Sequence, residues 1–350
     1  MAKTSTIDIG RAQFVPVRWV AHGSAVTRTL LLIALIAIVL LTAVGCAVPV
    51  STTAPISPTA AVATPATSAA PTVAPTMVVT AQATGIAIPA TPAAALVETL
   101  EEGSSARSLP VGDLIRNYRV YRPQGITAPA PLVLVFHGYG GSAAMTERQR
   151  GWNQAADRHG FVVIYPDGIE QGFNGGRCCG NAAERGVDDV AAAHAMIDEV
   201  TRIVPVDVSR IYAAGFSNGA VMTYRLACES DRFAAVGPVA GLQLVDCATP
   251  RPTSILHIHG TADTTISVGG APNFQAAPIN EVLAEWRTNL ACAPATETRT
   301  GNLRTSTASC PDNRDIDLIT IDGLGHSWPT QADGLDATET LWRFFARHQR

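Results

Sequence analysis

Three observations predict an α/β protein built on a mainly parallel, doubly wound sheet flanked by helices. Short, uniformly apolar runs recur along the chain from about residue 109 onward, as strands covered on both faces require. Stretches with helical spacing lie between them, and glycine or proline punctuates the junctions. Such alternation implies right-handed crossovers with helices on both faces, which places functional groups beyond the carboxyl ends of the strands.

The elements follow in order. Tyr118–Arg122 alternates and stops at Pro123, an early strand; Pro131–Phe136 is a continuous apolar run closed by His137-Gly138. A helix is predicted from about Thr146 to His159, then a buried strand over Phe161–Tyr165 ended by Pro166-Asp167-Gly168. After a loop rich in glycine and cysteine over 172–181, Val187–Arg202 carries Val190, Ala193, Met196, Ile197 and Val200 on one helical stripe. Asp188-Asp189 sits in its first turn, where negative charge suits the helix dipole. Ser209–Ala214 reads as a strand and Asn218 to about Glu229 as a helix. Phe233–Ala240 and Ser254–His259 are further strands, Asn280–Leu290 a helix, Ile316–Ile321 a strand and Ala337–His348 the closing helix.

The junction Gly215-Phe216-Ser217-Asn218-Gly219 lies between one of these strands and its helix. A serine held there between glycines has the grammar of a nucleophile elbow, a strained turn that exposes its hydroxyl above the sheet. A serine hydroxyl is a weak nucleophile at neutral pH and needs a base, which in turn needs a carboxylate to fix its tautomer. Chain order in such folds runs serine, acid, histidine. His257, His259, His326 and His348 follow Ser217, and His326 is expected as the base because it lies in a loop after the last strand. Asp263, after the penultimate strand, is expected as the acid, with Asp246, Asp312, Asp315 and Asp322 as rivals. The Asn218 N–H and the Tyr139 N–H, in the turn His137-Gly138-Tyr139-Gly140-Gly141, are expected to form the oxyanion hole. Trp328, Trp152 and Asn174 are candidates to line the substrate pocket, with core packing the alternative for the tryptophans. His257-Ile258-His259 invites a metal reading, but the acids clustered around it are too few, and no metal is expected.

The first part of the chain has a different composition. Thr29–Val44 is an unbroken apolar run after Lys3, Arg11, Arg18 and Arg28, which reads as a secretion signal over 1–46. It ends at Ala43-Val44-Gly45-Cys46, similar to a bacterial lipoprotein cleavage box with Cys46 as the lipidated residue; an uncleaved membrane anchor is the alternative. Residues 47–97 are dominated by Ala, Thr, Pro, Val and Ser and cannot nucleate a core, so they read as a disordered linker before a catalytic domain over 98–350. The bulk of the chain is therefore expected outside the cytoplasm or at the cell surface, touching membrane only through its N-terminal anchor, and as a monomer. Apart from Cys46, six cysteines remain, an even number that suits disulfides in an exported domain. Position favours Cys228 with Cys247 and Cys292 with Cys310, leaving Cys178-Cys179 as a vicinal ring or free thiols. A net charge of −4 and no basic aromatic stretch disfavour nucleic-acid binding.

The ordered set His137-Gly138 with Gly140-Gly141, Tyr165-Pro166-Asp167-Gly168, Cys178-Cys179-Gly180, Val187-Asp188-Asp189-Val190, Gly215–Ala220, His257–Asp263 and Gly325-His326-Ser327-Trp328-Pro329 resembles secreted esterases that include extracellular polyhydroxybutyrate depolymerases and feruloyl or acetylxylan esterases. The resemblance spans roughly residues 106 to 350. It implies an α/β-hydrolase fold, Ser217, Asp263 and His326 at the family's triad positions, and ester hydrolysis without metal or organic cofactor. The implied substrate is an ester-bearing polymer or oligomer: feruloyl or acetyl esters of plant polysaccharide, or alternatively a polyester chain. Where many relatives carry cysteine after His-Gly, this chain has Tyr139. A catalytically silent surface-binding protein and a serine peptidase are the competing classes.

Overall fold

A computed structural model describes residues 100–350; the apolar N-terminal run, Cys46 and the linker over 47–97 lie outside the described residues. The strands are β1 (Gly103–Val111), β2 (Leu114–Arg122), β3 (Ala130–Phe136), β4 (Val162–Pro166), β5 (Val206–Phe216), β6 (Ala235–Val239), β7 (Ser254–Gly260), β8 (Thr296–Thr300), β9 (Leu303–Thr307), β10 (Ser309–Cys310) and β11 (Arg314–Ile321). The helices are α1 (Ala143–Gln149), α2 (Trp152–His159), α3 (Gly180–Glu184), α4 (Asp189–Ile203), α5 (Asn218–Glu229), α6 (Ile279–Asn289) and α7 (Ala337–Phe345). The sheet order is β1-β2-β4-β3-β5-β6-β7-β11-β9-β8, with β10 beside β11. Its centre, from β4 through β11, is parallel, and antiparallel strands close both sides.

Strand periodicity divides the core between the two faces. Leu132, Leu134 and Phe136 of β3 face a layer holding Met196 and Val200 of α4, Met222 and Leu226 of α5, and Leu283 and Trp286 of α6. Val133 and Val135 face the other way, toward Ala155 and Ala156 of α2 and Leu341, Trp342 and Phe345 of α7. Because both faces are covered, β3, β4 and β7 are buried at every position, which is why each reads as an uninterrupted apolar run with few polar exceptions.

The sequence expectation differs from the structure in three places. The helix predicted over 146–159 is two helices, because Gly151 adopts a left-handed conformation (φ 70°) that ends one and starts the next. The antiparallel margins β1 and the β8–β9 hairpin escaped prediction: β8 is exposed at every residue, so burial imposes no hydrophobic period on it. Asp189, read as a simple first-turn charge, instead forms a fully buried ion pair with Arg116 and accepts the Asn174 N–H at 2.7 Å. Asp188 caps the helix by accepting the Ala191 N–H at 2.8 Å.

Cys228–Cys247 and Cys292–Cys310 are disulfide-bonded as expected, and Cys178–Cys179 forms the vicinal ring across a cis peptide bond. Among the described residues no helix is long and apolar enough to cross a membrane.

Buried Asp317 on β11 gives the fold a pH signature. Burial, with Asp315 nearby, raises its carboxyl to about 6 from 3.8, and one Ala308 N–H at 3.3 Å offsets this only partly. Between those two pH values the folded state holds a proton that the unfolded chain has released, so stability falls as pH rises, by at most about 3 kcal/mol. Asp317→Asn should flatten that fall; urea midpoints at pH 4.5 and 7 will converge in the variant and differ in the parent chain.

Candidate active site

β5 ends at Phe216 and α5 begins at Asn218, so Ser217 alone turns the chain at the carboxyl edge of the sheet. Its backbone, at φ 56° and ψ −117°, lies in a sparsely populated region that costs on the order of 1–3 kcal/mol. The surroundings enforce it: Ser217 N–H donates to Val239 O at 3.0 Å and Ser217 O accepts from Val221 N–H at 3.1 Å. Both flanking glycines are required by close backbone approach. A Cβ on Gly215 would stand 2.2 Å from Gly219 O, and one on Gly219 would stand 2.3 Å from Phe136 O. No other residue type fits either place.

The turn after β3 supplies backbone donors. His137 Nε2 accepts the Gly168 N–H at 3.0 Å, so its Nδ1 carries the hydrogen and donates to Gly138 O at 2.7 Å. Burial holds His137 below the usual imidazole pKa, in keeping with that neutral tautomer. Gly138 O also accepts the Gly141 N–H at 2.9 Å. With this carbonyl pinned from two sides and the peptide planar and trans, the Tyr139 N–H must point the opposite way. Neither it nor the Asn218 N–H has a backbone acceptor among the described residues. The Asn218 side chain is spent on Phe173, accepting its N–H at 2.8 Å and donating to its carbonyl at 2.9 Å, which locks the first turn of α5 against the loop.

His326 Nδ1 donates to Asp263 Oδ2 at 2.7 Å, and Asp263 Oδ1 accepts the Thr265 and Ile266 N–H groups at 2.9 and 2.8 Å. The two loops meet because Gly260 has no side chain: a Cβ there would lie 2.2 Å from Leu324 O. Ala262 N–H and Thr261 N–H then donate to Leu324 O and Ile321 O at 2.9 and 3.0 Å. Phe216, beside the elbow serine, packs on the His326 ring at 4.8 Å between centroids. Ser217 Oγ and His326 Nε2 are not hydrogen-bonded to one another here, and among the described residues neither has another protein partner.

The rival residues lie elsewhere. His348 is tied to Phe344 O and Asp315, while Asp322, Asp312 and Asp246 are in ion pairs with arginines. His257 binds Tyr224 Oη at 2.8 Å and His259 at 2.9 Å; His259 Nε2 donates to Ile266 O at 2.8 Å, which leaves no ring nitrogen for a metal.

The pocket expectations need correction. Trp152 is wholly buried between Phe161, Phe345 and Trp328, so it serves the core. Asn174 is spent internally, donating to Val187 O at 2.9 Å and accepting the Gly176 N–H at 3.1 Å. Trp328 is largely buried, with its Nε1–H on Thr338 Oγ1 at 3.2 Å. Two further residues stand at the rim, of which only Arg150 carries no signal in the sequence. Arg150 lies 4.6 Å over the Phe216 ring and 5.5 Å from that of Trp328, its charge disfavoured by burial. Tyr139, expected as a backbone donor and as a departure from the family at the oxyanion loop or pocket lip, is 61% exposed with its ring laid over Gly172 and Gly180.

A parallel sheet covered on both faces, with a serine elbow after its fifth strand and a hydrogen-bonded Asp-His pair on later loops, defines an α/β-hydrolase. The acetyl xylan esterase of Aspergillus awamori shares this fold, with a TM-score of 0.52 at 16% identity over 69% of this chain and 99% of that one. Residues 116–256 match the family model described as Esterase PHB depolymerase. The Nocardia uniformis subsp. tsuyamanensis protein named "Putative esterase NocK" is 34% identical over 260 residues, covering 65% of this chain and 74% of that one. The chain belongs to this esterase family. Feruloyl esterase B of Piromyces equi is 33% identical over 59% of this chain, and poly(3-hydroxyalkanoate) depolymerase C of Paucimonas lemoignei 28% over 62%. The chain spans only 41% and 54% of the lengths of those two relatives.

Gly260→Ala tests the loop junction. The added methyl must push the turn carrying His326 off the end of β7, and a displacement near 1 Å at a reacting group costs about 100-fold in rate. Ester turnover should fall by about that factor, while far-UV circular dichroism stays that of the parent.

Proposed function

We propose that this protein is an exported serine carboxylic-ester hydrolase that works through an acyl-enzyme on feruloyl or acetyl esters of plant polysaccharide. The observation that carries the reading is the Asp263–His326 hydrogen bond, which leaves the His326 Nε2 lone pair without a protein donor on the loop packed against the elbow residue Phe216. With Nδ1–H donated to the carboxylate, Nε2 presents its lone pair and takes the Ser217 proton as the hydroxyl attacks the ester carbonyl. The Asn218 and Tyr139 N–H groups receive the developing oxyanion, and the positive end of α5 adds to their effect. Protonated His326 then returns its proton to the departing alcohol. Water enters through the same base to release the acid.

The exposed ring of Tyr139, beside one of these donors, supports a cyclic substrate group, an aromatic acid or a sugar, which would stack on it. The family description and the Paucimonas lemoignei relative favour a second reading, hydrolysis of a polyhydroxyalkanoate chain. Export is read from the N-terminal sequence, with Cys46 as lipidation site, and the three disulfides suit an oxidising compartment.

Ser217→Ala should lower kcat on p-nitrophenyl acetate by about 10³-fold or more with fold retained, and undiminished turnover would refute the reading. Asp263→Asn should leave KM unchanged and cost up to about 10⁴-fold in kcat, because the amide favours the wrong imidazole tautomer. Parallel assays on methyl ferulate, acetylated xylan and polyhydroxybutyrate granules decide between the substrate readings: turnover confined to the granules would select the second.

A further inference from the structure

Behind the carboxylate that holds His326, a line of polar groups runs into the core. His257 and His259 alternate along β7 and so share one face, their rings 5.1 Å apart and 13° from parallel. Both are at most 1% exposed, and Tyr224, on α5, is fully buried. The hydrogens in this line have one arrangement. Ile266 O can only accept, so His259 Nε2 carries the hydrogen, donated at 2.8 Å, and His259 Nδ1 must accept. His257 Nε2–H therefore donates to it at 2.9 Å, and His257 Nδ1 accepts from Tyr224 O–H at 2.8 Å. Every donor points toward the active-site loop. At its end, His259 Nε2 also stands 3.4 Å from Asp263 Oδ2, the same oxygen that accepts from His326.

Apolar side chains in these places would fill the core without the cost of desolvating two imidazoles and a phenol. The line ends on the one carboxylate that orients His326. We infer that His259, held in place and in tautomer by His257 and Tyr224, is a positioning residue: its Nε2–H fixes Ile266 O, the N–H of the same residue donates to Asp263 Oδ1 at 2.8 Å, and the carboxylate is thereby held for its bond to His326. This rests on the reading of Ser217, Asp263 and His326 as the reacting groups.

Burial keeps both histidines below the usual imidazole pKa, so the line stays neutral and its direction is preserved as the solution becomes mildly acidic. The titratable groups that face the His259 ring are His257, Asp263 and His326; those that face His257 are Tyr224 and His259. If His259 were removed, the Ile266 turn would lose its anchor, its N–H would loosen from Asp263, and the carboxylate would hold protonated His326 more tightly. The acid limb of kcat/KM would then move to higher pH.

Glutamine and asparagine substitutions separate positioning from packing. In His259→Gln the amide nitrogen falls near the former Nε2 and still reaches Ile266 O, whereas in His259→Asn the amide falls near Nδ1 and does not. His259→Gln should keep kcat within about threefold, while His259→Asn loses about tenfold in kcat at unchanged KM, with its acid limb shifted upward. Tyr224→Phe, which deletes one hydroxyl, should move kcat and the limb in the same direction by about threefold. Folded His259→Asn, or folded Tyr224→Phe if the asparagine variant does not fold, with parental kcat and an unshifted limb would overturn the inference while Ser217→Ala remains inactive. Turnover by Ser217→Ala would instead bring down the serine reading on which it rests.

Discussion

Four backbone segments meet at the carboxyl edge of this sheet so closely that no Cβ fits between them. Gly215 and Gly219 press the two arms of the elbow together and against the end of β3, and Gly260 seats the Leu324 turn on β7. Gly241 does the same for the chain leaving β6, where a Cβ would lie 2.5 Å from that of Ala220 and 2.9 Å from Ser217 O. Ser217 is held in a conformation that an isolated peptide would abandon, and the pinned neighbours supply the free energy that keeps it there. Without this contact geometry the hydroxyl, the backbone donors and the imidazole would not share one edge.

Burial then decides protonation. His137, His257 and His259 all lose water, all are kept neutral, and each therefore has one donor and one acceptor nitrogen with assigned partners. His137 spends its pair on Gly168 and Gly138, which aims the Tyr139 N–H. His326 is more exposed than these and has one nitrogen without a protein partner. A neutral imidazole thus serves as a fixed strut in the interior.

The loop from Asp167 to Cys179 is the third part of the site, and it is fastened from below. The buried pair of Arg116 and Asp189 reaches it through Asp167 O and the Asn174 N–H, while Asn218 grips Phe173. Removing either partner would strand a charge out of water, a loss on the order of 3–5 kcal/mol. Gly172 of this loop, with Gly180 just after it, leaves room for the Tyr139 ring, so the scaffold that holds the turn after β3 also shapes the exposed surface beside it.

The sequence determined the buried strands and the helices between them, because burial on both faces leaves an apolar run and helical spacing that need no partner to be seen. It also determined the elbow, since Gly-x-Ser-x-Gly is a local steric requirement; it favoured the cysteine pairs 228–247 and 292–310 among fifteen possible connectivities, and the structure settled them. The tertiary structure alone decided the rest. β8 carries no period because it buries nothing; Trp152 and Asn174 turn inward; Arg116 finds Asp189 across 73 positions; and Arg150 comes to lie over Phe216. Each of these depends on which surfaces face one another after the sheet has formed. A one-dimensional pattern records how much of a residue is buried, and the partner it is buried against is fixed only when the strands take their order.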